Sequence, residues 1–384
     1  MANQFCGYIW KGDSSKHFIY RDADGHVHEL WSSQSRSSRW EDGDLNRAAT
    51  AENGGRKGLA PNAASQLAGY AWEGNSSQHI DYRGADGHIH ELWGSVKHNK
   101  WSGWKYFDVT QDAKAPNAAG EPCSYAWEQD SSQHIIYRSA DGHIHELWGR
   151  EVNGRWSGWQ HVDLTRMAGA PLAAGNPAGY IWDGDASHHV VYRGTDGHVH
   201  ALWRRIDGSG QEEWSHVDLT MEAGGIPVSA SDPMGYVWEG DSSQHIVYRG
   251  VDGHIHELWR RIDGSGWEKW LHVDLTLEAD GSPESAGDPM GYAWEGDSTQ
   301  HVIYRGADGN VHKLWGRMGT DFPGWQHVNL TAETGALPAS SDPVGYVWEN
   351  NSTHHVIHHC ENGDIQELWC NSTDDSAWKK RRIA

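Results

Sequence analysis

The sequence predicts an all-β fold, a seven-bladed β-propeller with four antiparallel strands per blade, built as one domain over residues 1–384. Two observations carry that prediction. The phrase GYxWxG…H(I/V)xYRxxDGH(I/V)HELW recurs seven times, its tyrosine standing at Tyr8, Tyr70, Tyr125, Tyr180, Tyr236, Tyr292 and Tyr346. The spacings are 62, 55, 55, 56, 56 and 54 residues, and a repeat at this scale marks a propeller, solenoid or array. The second observation is tryptophan, 24 in the chain against 4 phenylalanines. Three sets of seven, beginning at Trp10, Trp31 and Trp40, account for 21 of the 24. Seven like units without a polar capping repeat favour a closed ring over an open stack. The blades then fall at about 4–60, 61–117, 118–172, 173–227, 228–283, 284–338 and 339–384.

Each unit reads as four strands in order. GYAWEG is aromatic and bounded by glycine, and HIVYR is β-branched and aromatic. The DG before HIHELW is a hairpin signal, because glycine accepts positive φ. The fourth strand is of the type WQHVDLT, and a Pro/Gly/Ala linker such as RMAGAPLAAGNPAG leads to the next blade. No segment has helical periodicity flanked by caps. Recurrent aromatics suit blades that pack face to face.

Composition excludes several functions. The formal charge is −22, which argues against a nucleic-acid or anionic-membrane binder. No apolar run approaches the roughly 20 residues of a membrane span, so no membrane insertion is expected. The N-terminus MANQFCGYIW lacks the pattern of a classical signal peptide. Four cysteines make no disulfide framework, and Cys360 and Cys370 flank one strand too far apart to bridge. A cytoplasmic protein, or one released without a classical signal, fits these features.

The polar repeats are more informative. A histidine opens the second strand at His17, His79, His134, His189, His245, His301 and His355. Twelve residues later a glutamate stands on the third strand at Glu29, Glu91, Glu146, Glu257 and Glu367, replaced by Ala201 in blade four and Lys313 in blade six. If the hairpin keeps both on one face they are cross-strand neighbours; a different register would separate them. An inter-strand ion pair and a ligand site are both open readings. A purely stabilising pair would be expected in all seven blades.

Two further sets carry weaker signals. The HxH pairs His26/His28, His88/His90, His143/His145, His198/His200 and His254/His256 share a strand face, but lack evident third ligands for a metal. In blade seven His354, His355, His358 and His359 cluster beside Cys360, the best metal candidate in the sequence. The acids after the first-strand tryptophan, Glu73, Glu128, Asp183, Glu239, Glu295 and Glu349, are expected to line a solvated channel rim. The closing KKRR reads as a charged edge.

There is no GxSxG, HExxH, phosphate loop or dinucleotide fingerprint, so neither catalysis nor a cofactor is expected. Near-equivalent sites point instead to multivalent binding. The aromatic first strand, the HIxYR second strand, the DGxIxELW third strand and the Pro/Gly/Ala linker resemble bacterial seven-bladed propeller lectins of the Photorhabdus lectin type. They are similar, more distantly, to six-bladed fungal fucose-binding lectins. The resemblance runs from about Tyr8 to Trp378. It implies recognition of fucosylated or O-methylated glycans in pockets between blades. In the fungal lectins an Arg and a Glu twelve residues apart hold the sugar hydroxyls beside an aromatic platform. The glutamates carry over, while histidine stands at the arginine place in every blade.

The ligand-binding candidates are therefore His17, Glu29 and Trp31; His79, Glu91 and Trp93; His134, Glu146 and Trp148; His245, Glu257 and Trp259; and His355, Glu367 and Trp369. Blades four and six should bind poorly. If the histidines touch ligand, binding should change between about pH 5.5 and 7.5. The alternatives are an enzyme or metalloprotein using the channel or blade seven, and a protein-interaction scaffold. Oligomer formation is left open.

Overall fold

The computed structural model describes residues 5–33, 37–51, 60–206, 213–262, 269–317, 324–371 and 377–384. It is a seven-bladed β-propeller, each blade a sheet whose four main strands are antiparallel and follow chain order. Each blade takes these four strands from one stretch of chain. Contacts group blades one to three (Asn3–Pro177) into one compact unit and blades four to seven (from Ala178) into another.

Register explains why three residue types recur together. In blade two the first strand is Ala63–Trp72, the second Ser77–Gly84, the third Ile89–Lys97 and the fourth Lys105–Asp108. Tyr70 lies directly opposite His79, and His79 directly opposite Trp93. The three rings form one rung, His79 stacking on Tyr70 at 5.0 Å between centroids and on Trp93 at 6.2 Å. The same Tyr–His–Trp register holds in the other six blades. On the opposite face Ile80 and Leu92 are fully buried.

Neighbouring blades meet through this rung. Tyr8 donates its hydroxyl hydrogen to Gln78 of blade two at 2.7 Å, and Tyr70 donates to Gln133 of blade three at 2.5 Å. The tyrosine ring also lies on the next blade's first-strand glycine. A Cβ on Gly235 would stand 2.1 Å from the Tyr180 ring, and one on Gly291 would stand 2.2 Å from the Tyr236 ring. At Gly235 and Gly291 glycine is required by close approach of a ring rather than by a turn.

Two recurrent motifs differ from the sequence expectation. The WQHVDLT segment is a strand only as far as its aspartate. Asp108, Asp163, Asp218 and Asp274 then cap one-turn helices, each side chain accepting a backbone N–H. The following threonine accepts the backbone N–H that opens the third strand, as Thr110 does from Ile89 at 2.8 Å. A single turn is too short to leave a helical period.

The acids after the first-strand tryptophan are not a free rim. Glu73 accepts the backbone N–H of Lys11 and Gly12 in blade one, and Glu128 accepts those of Glu73 and Gly74 at 2.8 and 2.9 Å. Glu295 does the same for Glu239 and Gly240. These carboxylates latch one blade to the 3-10 turn of the blade before. The closing KKRR is likewise engaged: Arg382 pairs with Asp364 at 3.1 Å, and the Lys379 ammonium sits 4.5 Å over the Trp369 ring.

Gly291→Ala is expected to destabilise the protein by about 1–3 kcal/mol, because the added methyl displaces Tyr236 from the core between blades. Chemical denaturation beside Gly281→Ala checks it, since Gly281 lies in open space with φ +79 and reports backbone strain alone.

Candidate functional site

The five histidine–glutamate pairs all form. His17, His79, His134, His245 and His355 place Nδ1 at 2.7–2.9 Å from Glu29, Glu91, Glu146, Glu257 and Glu367. Each glutamate lies two residues from the strand position opposite its histidine, so both side chains share one face. All ten side chains are at most 8% exposed. The far ring nitrogen meets a hydroxyl on the same strand, Ser15, Ser77, Ser132, Ser243 or Thr353, at 2.6–2.8 Å. Each imidazole is thus held at both nitrogens and, where its stacking partners are ordered as in blade two, on both faces.

The pairs are interior, yet one of them floors an open cleft. A cavity of about 850 Å³ lies between blades two and three, with His79, Glu91 and Trp93 in its wall. Trp72, Ser95, Lys97 and Asp112 complete the blade-two side, and Gln133, Glu151, Trp156 and Trp159 the blade-three side. Trp93 is half-buried, so its indole offers a partly wet apolar surface beside ionisable groups.

Trp156 was not among the sequence candidates. It belongs to a short hairpin, Arg155–Trp156 pairing with the end of the third strand of blade three. Its ring folds back onto Gly149, where an added Cβ would come within 2.3 Å of it. It stands edge-on to Trp72 at 6.5 Å and to Trp159 at 5.4 Å, and remains 41% exposed. Trp101 of blade two repeats this arrangement against Trp10 at 6.3 Å and Trp104 at 5.5 Å. Trp101, Trp156 and Trp267 are the three tryptophans outside the sets of seven, and that remainder was the available signal. Trp267 lies outside the described residues.

The sets of seven divide by role. Trp10 and its six equivalents are buried, as are Trp104, Trp159, Trp214, Trp270, Trp325 and Trp378. The HELW tryptophans Trp31, Trp93, Trp148, Trp259 and Trp369 are all half-buried. In blades one, three, five and seven the structure brings His, Glu and Trp together as in blade two. Glu257 also accepts from the Tyr236 hydroxyl at 3.1 Å, and Glu367 is bound by Arg381.

Blade two carries a departure that repeats nowhere else. Asp81 occupies the position held by Ile or Val in the other six blades, directly opposite Glu91. It is fully buried and neither carboxyl oxygen has a hydrogen-bond partner. Ser124 of blade three, replacing the usual glycine, faces this carboxyl. Burial, then the charge of Glu91, pushes the Asp81 pKa well above the ordinary carboxylate range. Burial also lowers His79 to about 4. The His79 imidazole is therefore neutral throughout pH 5.5–7.5, and in this blade the expected change of binding in that window has no titrating histidine behind it.

The histidine pairs of the third strand have carboxylate partners that their sequence did not reveal. His88, His198 and His254 bond the helix-capping Asp108, Asp218 and Asp274 at 2.8–2.9 Å. His90, His200 and His256 bond Asp86, Asp196 and Asp252 of the hairpin turn at 3.1 Å. In blades three to six the inner histidine also meets an outer-strand histidine, as His200 meets His216 at 3.0 Å. His200 and His256 each lie with two aspartates at metal-ligating separations, but those aspartates already accept the cap and turn hydrogen bonds. The blade-seven run does not converge. His355 pairs with Glu367, while His358 is buried against the Leu337 carbonyl at 3.1 Å. Cys6 and Cys360 form no disulfide.

No family model matches this chain, and no curated protein matches it in sequence. Among solved structures it is similar to the BP39L lectin of Burkholderia pseudomallei, with a TM-score of 0.71, 15% identity, and coverage of 100% of this chain and 99% of that one. It is similar to the six-bladed fucose-recognising lectin of Aleuria aurantia at TM-score 0.50 and 13% identity, covering 84% and 93%. A candidate 6-phosphogluconolactonase of Bacteroides uniformis matches at TM-score 0.56 and 10% identity, covering 94% and 95%. At these identities the likeness is one of fold: the chain shares a propeller architecture with lectins. No helix among the described residues is long and apolar enough to cross a membrane.

Asp81→Ile is expected to stabilise the protein, by about 2 kcal/mol at neutral pH. A carboxyl whose folded pKa is raised contributes most below its unfolded pKa, near 4, and loses that contribution as pH rises through the folded value. The gain from the substitution should therefore be larger at pH 7 than at pH 4. Urea titrations at the two pH values check both size and sign.

Proposed function

We propose that this protein is a multivalent lectin for neutral sugars, fucosylated or O-methylated glycans among them, bound in clefts between adjacent blades. The observation that carries the reading is the cleft between blades two and three. It joins half-exposed Trp93 and Trp156 to the ionisable pair His79 and Glu91. A sugar presents apolar C–H patches beside dense hydroxyls, and needs an aromatic surface next to fixed hydrogen-bonding groups. The lectin neighbours in fold support this choice. Repetition of the His–Glu–Trp set lets several weak sites act together on a clustered target.

The order Ser77–His79–Glu91 has the spacing of a nucleophile, base and orienting acid, so a hydrolase is the competing reading. Three features favour a framework role instead. The serine is 1% exposed, the same chain recurs in other blades, and Asn75 also contacts the Ser77 hydroxyl. A fluorophosphonate probe is expected to leave the native protein unlabelled; stoichiometric labelling of Ser77 would move the assignment to an enzyme.

The test is a glycan array followed by competition with free monosaccharide, fucose and O-methylated sugars included. Trp156→Ala should weaken binding in this cleft about tenfold while leaving the melting temperature nearly unchanged, since the ring is an exposed flap on the fold. Retained affinity in that variant, with a normal melting curve, would remove the cleft from the proposal.

A further inference from the structure

The histidine pairs of the third strand meet their aspartates in a cluster that the sugar reading does not use. In blade four the turn carries Asp196, the third strand is Val199–Arg205 and the fourth is Ser215–Asp218. Register sets His200 directly opposite Asp218, and His198, two residues before it, falls on the same face. Four donor atoms gather there. His198 Nδ1 lies 2.8 Å from Asp218 Oδ2 and 4.0 Å from Asp196 Oδ2, and His200 Nε2 lies 3.3 Å from Asp196 Oδ2. One donor each of Asp196, His200 and Asp218 lies within 4.8 Å of the other two. His200 is buried, whereas the Asp196 side chain is 44% exposed and leaves the cluster open to solvent.

The cap and the turn engage only one oxygen of each carboxylate. Asp218 Oδ1 accepts the Met221 backbone N–H, and Asp196 Oδ1 accepts that of His198, both at 3.0 Å. Each Oδ2 is turned to the imidazoles instead. His200 meets His216 Nε2 through its far nitrogen, Nδ1, at 3.0 Å. With Nδ1–H donating there, the Nε2 lone pair faces the carboxylates, as an outer partner arranges for a metal-bound imidazole. Blade five repeats every part. His254 Nδ1 lies 2.9 Å from Asp274 Oδ2, His256 Nε2 lies 3.2 Å from Asp252 Oδ2, and His256 Nδ1 meets His272 at 2.9 Å. Other blades lack a component. Blades one and two carry Asp42 and Tyr106 at the place of His216, and their His28 and His90 leave Nδ1 without a hydrogen bond. Blade three turns His145 Nε2 to Ser139 at 2.9 Å, and blade six has Asn310 and Asn329 for a histidine and an aspartate.

We propose that blades four and five each bind a divalent first-row transition ion, Zn²⁺ foremost. The ligands are Asp196, His198, His200 and Asp218 in one blade and Asp252, His254, His256 and Asp274 in the other. Zinc takes imidazole nitrogen at about 2.0–2.1 Å and carboxylate oxygen at about 2.0–2.2 Å, so neighbouring donors of a tetrahedral ion stand about 3.3–3.5 Å apart. The spacings of 2.8, 3.3 and 4.0 Å in blade four straddle that value. Two imidazoles among four donors select such an ion over Ca²⁺ and Mg²⁺, which take oxygen. Bound there, the ion ties the hairpin turn, the third strand and the helix cap of one blade together. The inference stands apart from the lectin reading, because none of these residues lines the cleft between blades two and three.

The full chain, stripped with a chelator and titrated calorimetrically with ZnCl₂ above the usual histidine pKa, should show two tight sites. CoCl₂ should give the intense visible absorption of a four-coordinate ion, and CaCl₂ and MgCl₂ should give no comparable heat. His198→Asn and His254→Asn introduce the residue that blade six already carries at this place. Each should remove one zinc site, and together they should remove both. Asp218→Asn, which keeps a cap as Asn329 does in blade six, is a second route to the loss of the blade-four site. His216→Ala, which removes only the outer partner, should weaken that site about ten- to a hundredfold. Melting curves establish that each variant is folded. Absence of saturable zinc binding, equally tight uptake of Ca²⁺, or two tight sites surviving in the folded double variant would overturn the proposal.

Discussion

The cross-strand rung of tyrosine, histidine and tryptophan is the interaction on which the remaining architecture depends. Three strands of a blade are registered by it, because the rings must lie directly opposite one another. A one-residue slip would turn all three onto the opposite face and remove the tyrosine that reaches the next blade. The glycine of the neighbouring first strand follows from the same rung, since the tyrosine ring occupies the space of its Cβ. Between blades four and five and between blades five and six the spacing is therefore set by an aromatic ring and a missing methyl group, with the Glu295 latch securing the turn beyond in the second case.

The rung also explains what sequence alone left open about the histidine–glutamate pair. Conservation of a stabilising pair in all seven blades would be required only if the pair positioned the histidine. In blade six His301 still stacks on Tyr292 at 5.1 Å and still bonds Thr299 after the glutamate has gone. The imidazole is kept by its rings and hydroxyl, so the glutamate position is free to change. Substitution there alters the charge beside the rung while leaving the blade intact.

Most of the fold was legible because period-two strands, glycine turns and tryptophan spacing all repeat. The shared face of histidine and glutamate was legible only as one of two registers. Other features were hidden for physical reasons. The one-turn helices are shorter than any period, and the DLT motif that builds them looks like the end of a strand. The glutamate latches are contacts between blades some 55 residues apart, with no local trace beyond the acid itself. Trp156 falls outside the three sets, and that isolation is its one sign in the sequence of a different task. Asp81 leaves no sign in the sequence, because one acid in a strand of HIDYR is unremarkable until its neighbours are known to be core.

Seven repeats in one chain are seven outcomes of one physical design, and their differences separate constraint from freedom. The tyrosine, histidine and tryptophan of the rung are identical in all seven, so these carry the packing. The residues that vary lie beside the rung: glutamate, alanine or lysine on the third strand, and glutamine, lysine or histidine on the neighbouring second strand. None of these is needed to stack the rung, yet each changes the charge beside it. Replacing the paired glutamate with Lys313 leaves that frame intact, the ammonium packing against the Trp315 and Trp378 rings. Variation gathered beside the rung, over an invariant frame, marks the positions that folding leaves free.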